Sequence, residues 1–204
     1  MSEGHPHEEI RHESSPYAAR IRAIEALLLE KGVLTEPEIQ DRIAYMEARS
    51  PANGARLVAR AWVDPEFKER LLSDTKGAAQ ELGIDASGPV DFVIVENTPA
   101  VHNLIVCTLC SCYPRAILGR PPDWYKSFEY RSRAVREPHA VMREFGFEPP
   151  EGVEVAVHDS TADIRYMVLP MRPPGTQDMN EEQLAELVTR DSLIGVSVPR
   201  YAGE

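Results

Sequence analysis

All three cysteines of this 204-residue chain, Cys107, Cys110 and Cys112, fall within six consecutive positions. Sulfurs so close together cannot form a disulfide framework, which needs pairs spread along the chain to tie distant segments. The fold must therefore rest on a hydrophobic core, and a chain with 43% hydrophobic residues can build a sizeable one. The crowded sulfurs themselves read as a metal site.

Thiolates are soft ligands, which favours zinc, iron, copper(I) or a thiophilic cobalt site over magnesium or calcium. Cys110 and Cys112 flank a single residue, so an ion held by both sulfurs sits against the backbone nitrogens of Ser111 and Cys112. Chelate rings through those atoms close with five or six members, giving a square of two sulfurs and two nitrogens. Cys107, three residues before Cys110, is placed for an axial sulfur, which leaves a sixth position open to substrate or water. Deprotonated amide ligands demand a strongly polarising ion such as Co(III) or Fe(III). Two other readings of the spacing stand beside this one. A structural zinc needs a fourth ligand, for which His102 is the nearest candidate, and unliganded cysteines act as small buried hydrophobes.

The run Val106-Cys107-Thr108-Leu109-Cys110-Ser111-Cys112-Tyr113-Pro114 resembles the metal-binding motif of the nitrile hydratase α subunit. Thr108, where the iron enzymes usually carry Ser, resembles the cobalt type. The likeness extends through Trp62-Val63-Asp64-Pro65-Glu66-Phe67, Pro121-Pro122-Asp123-Trp124-Tyr125-Lys126-Ser127, Glu129-Tyr130-Arg131-Ser132-Arg133, Arg172-Pro173 and Asp191-Ser192-Leu193-Ile194-Gly195-Val196, and covers residues 17 to 197. It implies one non-corrin Co(III) per chain, with Fe(III) the lesser alternative. Cys107, Cys110 and Cys112 would bind through sulfur, and Ser111 and Cys112 through backbone nitrogen. It further implies a sulfinic acid at Cys110 and a sulfenic acid at Cys112, the reaction being hydration of a small-molecule nitrile to an amide. The implied partners are a β subunit, in a heterodimer or α2β2 assembly, whose arginines complete the site, and an activator protein for metal insertion.

Arg115 departs from the family pattern, which has Trp after Tyr-Pro. A cation in place of a flat apolar wall points to polar or anionic substrates if Arg115 faces the pocket, and to an interface role if it does not. The same departure keeps thiocyanate hydrolase, whose metal-bearing subunit shares the cysteine motif, as an alternative; a structural zinc-binding module is the non-enzymatic one. Asp159 and Asp163 form a second constellation, Asp163 being a shortened match to a family Glu. Carboxylates behind a metal orient its ligands, although such a cluster before a strand is also an ordinary solvated turn. His139 and His158 read as surface or capping histidines.

The architecture expected is α/β (α+β). Residues 1–15, polar and rich in His and Glu, read as a disordered tail, and residues 16–85 as a helical N-terminal arm packing on the partner subunit. Residues 86–204 read as a layered α/β metal-binding catalytic domain. Helical periodicity marks 20–31, 36–48, 53–61, 66–73 and 75–82, and later 124–130, 138–145 and 181–190, the last capped by Asn180. Apolar, β-branched runs at 92–96, 104–107, 153–157 and 164–169 predict strands. A net charge of -11 disfavours nucleic acid as a partner. No run has the length of a membrane span or the pattern of a signal peptide, which makes the expected compartment cytoplasmic.

Overall fold

Apolar residues spaced three and four apart, punctuated by Gly32, Pro51, Pro65 and Gly83, break the first part of the chain into helices. The computed structural model describes residues 16–110 and 112–201; the expected disordered tail and the Ser111 ligand lie outside the described residues. The chain divides after Met46 into two units. The first holds α1 (Pro16–Glu30) and most of α2 (Glu36–Glu47), and neither helix has a buried residue. Thr35 begins α2 as a cap, its N–H and Oγ1 each 2.8 Å from the Glu38 carboxylate.

The second unit carries α3 (Pro51–Val63), α4 (Pro65–Ser73) and α5 (Thr75–Glu81). Asp64 and Asp74 start α4 and α5 by accepting from Phe67 and Gly77 N–H. The sequence reading groups these helices with the arm. Here Leu57, Val58, Phe67, Leu71 and Ala79 instead join Ile94, Leu104, Ile105, Met167 and Leu169 of the strands in one buried cluster. The change of periodicity near Val90 thus marks a switch of element type, whereas the core runs through it.

The four strands are β1 (Asp91–Glu96), β2 (Val101–Val106), β3 (Glu154–Asp159) and β4 (Ile164–Leu169). β1 pairs with β4 and β2 with β3, both parallel, so the inner pair is nested within the outer in chain order. A parallel pair needs a crossover, and between β2 and β3 this is α6 (Arg115–Leu118), α7 (Asp123–Lys126), α8 (Phe128–Arg136) and α9 (Pro138–Glu144). The helix expected over 124–130 is interrupted at Ser127, whose extended backbone (ψ 144°) stops α7 while its side chain caps α8 through Tyr130 N–H. The helix expected over 181–190 is also divided. α10 (Glu181–Leu187), capped by Asn180 as expected, is followed by α11 (Arg190–Ile194), which begins at a second capping box on Thr189. No helix among the described residues is long and apolar enough to cross a membrane.

Candidate metal centre

Parallel pairing brings the C-terminal ends of β2 and β3 side by side, with Val106 opposite Asp159. The cysteine loop leaves β2 at that point, so Cys107 is nearly buried (1% exposed), while Cys110 is exposed and Cys112 half-buried. Cys107 Sγ lies 3.4 Å from Cys110 Sγ, and Cys110 Sγ lies 3.1 Å from Cys112 Sγ. All three sulfurs lie within 4.8 Å of one another, and the Cys110 N–H points to the Cys107 sulfur at 3.3 Å. No disulfide joins these three cysteines, since one would bring two sulfurs to about 2.0 Å.

Asp159 joins the site. The Thr108 N–H donates to one of its carboxylate oxygens at 2.9 Å and the Thr108 hydroxyl to the other at 2.5 Å, charge-assisted bonds that hold the first turn of the loop. Burial, followed by the neighbouring Cys110 and Cys107 sulfurs, pushes the Cys112 thiol up to about 12, with Arg165 opposing. The Cys112 thiol therefore holds its proton until a cation displaces it, and a thiophilic ion is the cation that suits a group of sulfurs. Among the described residues no fourth Cys, His, Asp or Glu side chain joins the group. The donor set therefore fits a metal bound by three sulfurs with its other positions left to backbone or solvent; it does not complete a tetrahedral zinc site.

His102 is placed elsewhere. It starts the strand that ends at the cysteines, and five residues of strand span about 16 Å. Its Nε2 donates to the Gly195 carbonyl at 2.7 Å and its Nδ1 accepts from Asn97; burial lowers its pKa, against the effect of the Gly195 carbonyl, and keeps the ring neutral. His158 bonds Asn103 at 2.8 Å, and His139 is exposed on α9. Arg115 is exposed at the first position of α6, three residues beyond Cys112. Asp163 is exposed on the turn before β4, where its carbonyl accepts from Asp91 N–H. No hydrogen bond among the described residues links either side chain to the loop.

Sequence reasoning assigned no role to two residues that the fold brings to the loop. The Tyr125 hydroxyl donates to the Cys112 carbonyl at 2.9 Å, and Arg131 donates to the Thr108 carbonyl at 3.3 Å. Burial pushes the hydroxyls of Tyr113, Tyr125 and Tyr130 well above their ordinary range, so all three stay protonated; Tyr125 and Tyr130 donate theirs to the Cys112 and Ile105 carbonyls, whereas that of Tyr113 is buried without a partner among the described residues. Both Tyr125 and Arg131 lie in the aromatic and arginine-rich stretch of α7 and α8, which was the available signal.

Comparison with known proteins gives a consistent picture. A family model described as "Nitrile hydratase, alpha chain" matches residues 15–197. The low-molecular weight cobalt-containing nitrile hydratase subunit alpha of Rhodococcus rhodochrous is 54% identical over 183 residues, 89% of this chain and 88% of that one. The cobalt-containing nitrile hydratase subunit alpha of Pseudonocardia thermophila is 51% identical, over 93% of this chain and 92% of that one. Thiocyanate hydrolase subunit gamma of Thiobacillus thioparus is 42% identical, over 87% of this chain and 78% of that one. Among solved structures, a double mutant of the Fe-type nitrile hydratase of Comamonas testosteroni Ni1 superposes with a TM-score of 0.82 at 46% identity, covering 91% of each chain.

Proposed function

The chain belongs to the nitrile hydratase α-chain family, and on that premise we propose that it is the metal-bearing subunit of an enzyme that hydrates nitriles to amides. The observation that carries this reading is the convergence of the Cys107, Cys110 and Cys112 sulfurs within 4.8 Å at the end of a buried strand. The ion would be one non-corrin Co(III), which the sulfurs of Cys107, Cys110 and Cys112 would hold together with the backbone nitrogens of Ser111 and Cys112, and it would supply a Lewis acid for substrate or water.

The exposure of the sulfurs supports this reading: Cys107, which is buried, would remain unoxidised, whereas the more accessible Cys110 and Cys112 would be oxidised by an external oxidant such as dioxygen to the sulfinic and sulfenic acids. Asp159 fixes the turn that carries Cys107 toward Cys110 through Thr108. The nitrile carbon would accept oxygen either directly from water or from the Cys112 sulfenate, whose oxygen a water then replaces, and the two protons of that water end on the nitrile nitrogen as the amide NH2.

A β subunit completes the site. Leu109, at the tip of the loop, is 87% exposed and Phe128, at the start of α8, is 78% exposed, apolar surface that a partner chain covers. α1 likewise presents Tyr17, Ile21, Ile24 and Leu27 outward, as a helix does when its apolar stripe packs on another chain. The assembly is a heterodimer or α2β2, its metal is delivered by an activator protein, and its compartment is the cytoplasm. Co-expression of the chain with its β subunit, followed by elemental analysis and a nitrile hydration assay, tests the reading. Cobalt near one per chain with amide formation is expected; zinc with unmodified cysteines would sink it.

Arg115 favours a second reading, in which the substrate is an anion such as thiocyanate, and a relative named as a thiocyanate hydrolase subunit is 42% identical to this chain. An exposed guanidinium three residues from Cys112 adds attraction for a negative substrate that a Trp ring would not. In Arg115→Trp, turnover of anionic relative to neutral substrates is expected to fall several-fold, an exposed charge contact being weakened by solvent. Unchanged relative rates would remove Arg115 from the pocket.

A further inference from the structure

The two ends of the cysteine loop are held by different elements. Thr108, at the first end, is fixed by Asp159 from β3 through two hydrogen bonds and by Arg131 from α8 through its carbonyl. At the far end, the one side-chain group bonded to the Cys112 backbone among the described residues is the Tyr125 hydroxyl. That hydroxyl cannot wander. Tyr125 is 0% exposed, and its ring is packed between Tyr113 at 5.1 Å and Tyr130 at 5.6 Å, with Trp124 edge-on at 6.1 Å.

We infer that Tyr125 is a positioning residue for the metal centre, setting the direction of the Cys112 sulfur by holding the Cys112 carbonyl. Fixing that carbonyl fixes the peptide plane that follows Cys112, and with it the torsion that orients the Cα–Cβ bond carrying the sulfur. Cys110 is tied to Cys107 by its own N–H, so Cys112 is the ligand whose aim depends on a contact from outside the loop. Removing the phenol oxygen would leave the part-buried Cys112 carbonyl without this partner, and the loop would relax to find another.

This inference rests on the reading that the loop binds a metal, and its test separates the two. Tyr125→Phe is made in the full chain purified with its β subunit. Metal content, the visible thiolate-to-metal absorption band and the rate at which a chelator strips the metal are then measured. Expected are a displaced band and stripping about tenfold faster, the lower end of what loss of an outer partner costs a metal site. Tyr130→Phe is the control, because it removes a hydroxyl of the same aromatic cluster that bonds the Ile105 carbonyl, at 2.6 Å, rather than the loop; it should lower the melting temperature and leave the band in place. A wild-type band and stripping rate in Tyr125→Phe would overturn the inference, and so would equal changes in the two variants. If Tyr125→Phe yields no complex, 3-fluorotyrosine at position 125 keeps the ring and strengthens the donor. It should move the band the opposite way to any loss of the bond, and an unmoved band would overturn the inference equally. A wild-type complex without thiolate-bound metal would sink the metal reading itself, visible in the same elemental analysis.

Discussion

Cys112→Ala is expected to abolish both metal retention and turnover while leaving the metal-free fold intact. Three sulfurs within 4.8 Å form the site, and removing one deletes a covalent ligand. That loss exceeds the roughly 10- to 100-fold cost of an outer partner. It also removes the sulfur whose oxidised form is proposed to act on the nitrile. Cys112 is the informative choice because it is half-buried and lies outside the buried cluster of the core. Cys107→Ala would combine ligand loss with damage to packing, since Cys107 is 1% exposed behind β2. The melting temperature of metal-free Cys112→Ala should therefore stay within a few degrees of the metal-free parent, a surface-type change being worth about 0.5 kcal/mol. Elemental analysis and amide formation are measured on the purified complex. Full activity, or cobalt at one per chain in the variant, would refute the ligand assignment.

The sulfur loop was legible because its chemistry is local: three soft donors close in sequence must be close in space. Elements with a local signature were legible too, among them α3, expected over 53–61 and found over Pro51–Val63, α10 with its Asn180 cap, and β4 over residues 164–169. The interruptions were not. Ser127 divides α7 from α8 and Val188 with Thr189 divides α10 from α11, in each case because a side-chain cap begins a new helix inside an unbroken amphipathic pattern. α6 has four residues, too few for a period to register. Strand pairing was illegible for another reason. Nothing in the composition of β1 says that its neighbour is β4, some seventy residues away, rather than β2; that choice is made by the crossover helices packing on the strands.

The roles of Tyr125 and Arg131 follow from the same non-local step. Only after α6 to α9 fold back beside β2 does a phenol on α7 reach a carbonyl on the loop. His102 illustrates the converse. Five residues from Cys107 in sequence, it lies at the other end of a strand, and its ring nitrogens are taken by Asn97 and Gly195. Proximity along an extended chain is distance in space.

Gly195→Ala is expected to be among the most damaging single-methyl changes in the scaffold behind the site. Gly195 ends α11 with φ 89°, a left-handed conformation that costs an L side chain roughly 1–2 kcal/mol. A Cβ there would also stand 2.0 Å from the Asn103 carbonyl oxygen and 3.1 Å from the Leu104 Cα. Both are backbone atoms of β2, so no side-chain rotation relieves the clash, and the strand that delivers the cysteines has to move. Movement is opposed by the bond from His102 to the Gly195 carbonyl and by Asn103, whose amide is shared among Asn97, Glu96 and His158. Several kcal/mol should be lost, which at about 2–4 °C per kcal/mol for a chain of this size lowers the melting temperature by roughly 10 °C. Gly83→Ala separates the two causes. It has a similar φ of 71° but nothing within 4 Å of the added Cβ, so only the conformational cost remains and the fall should be about 2–8 °C. Equal losses in the two variants would mean that β2 yields at Asn103, and that the close approach of Gly195 does not hold the strand in place beneath the metal loop.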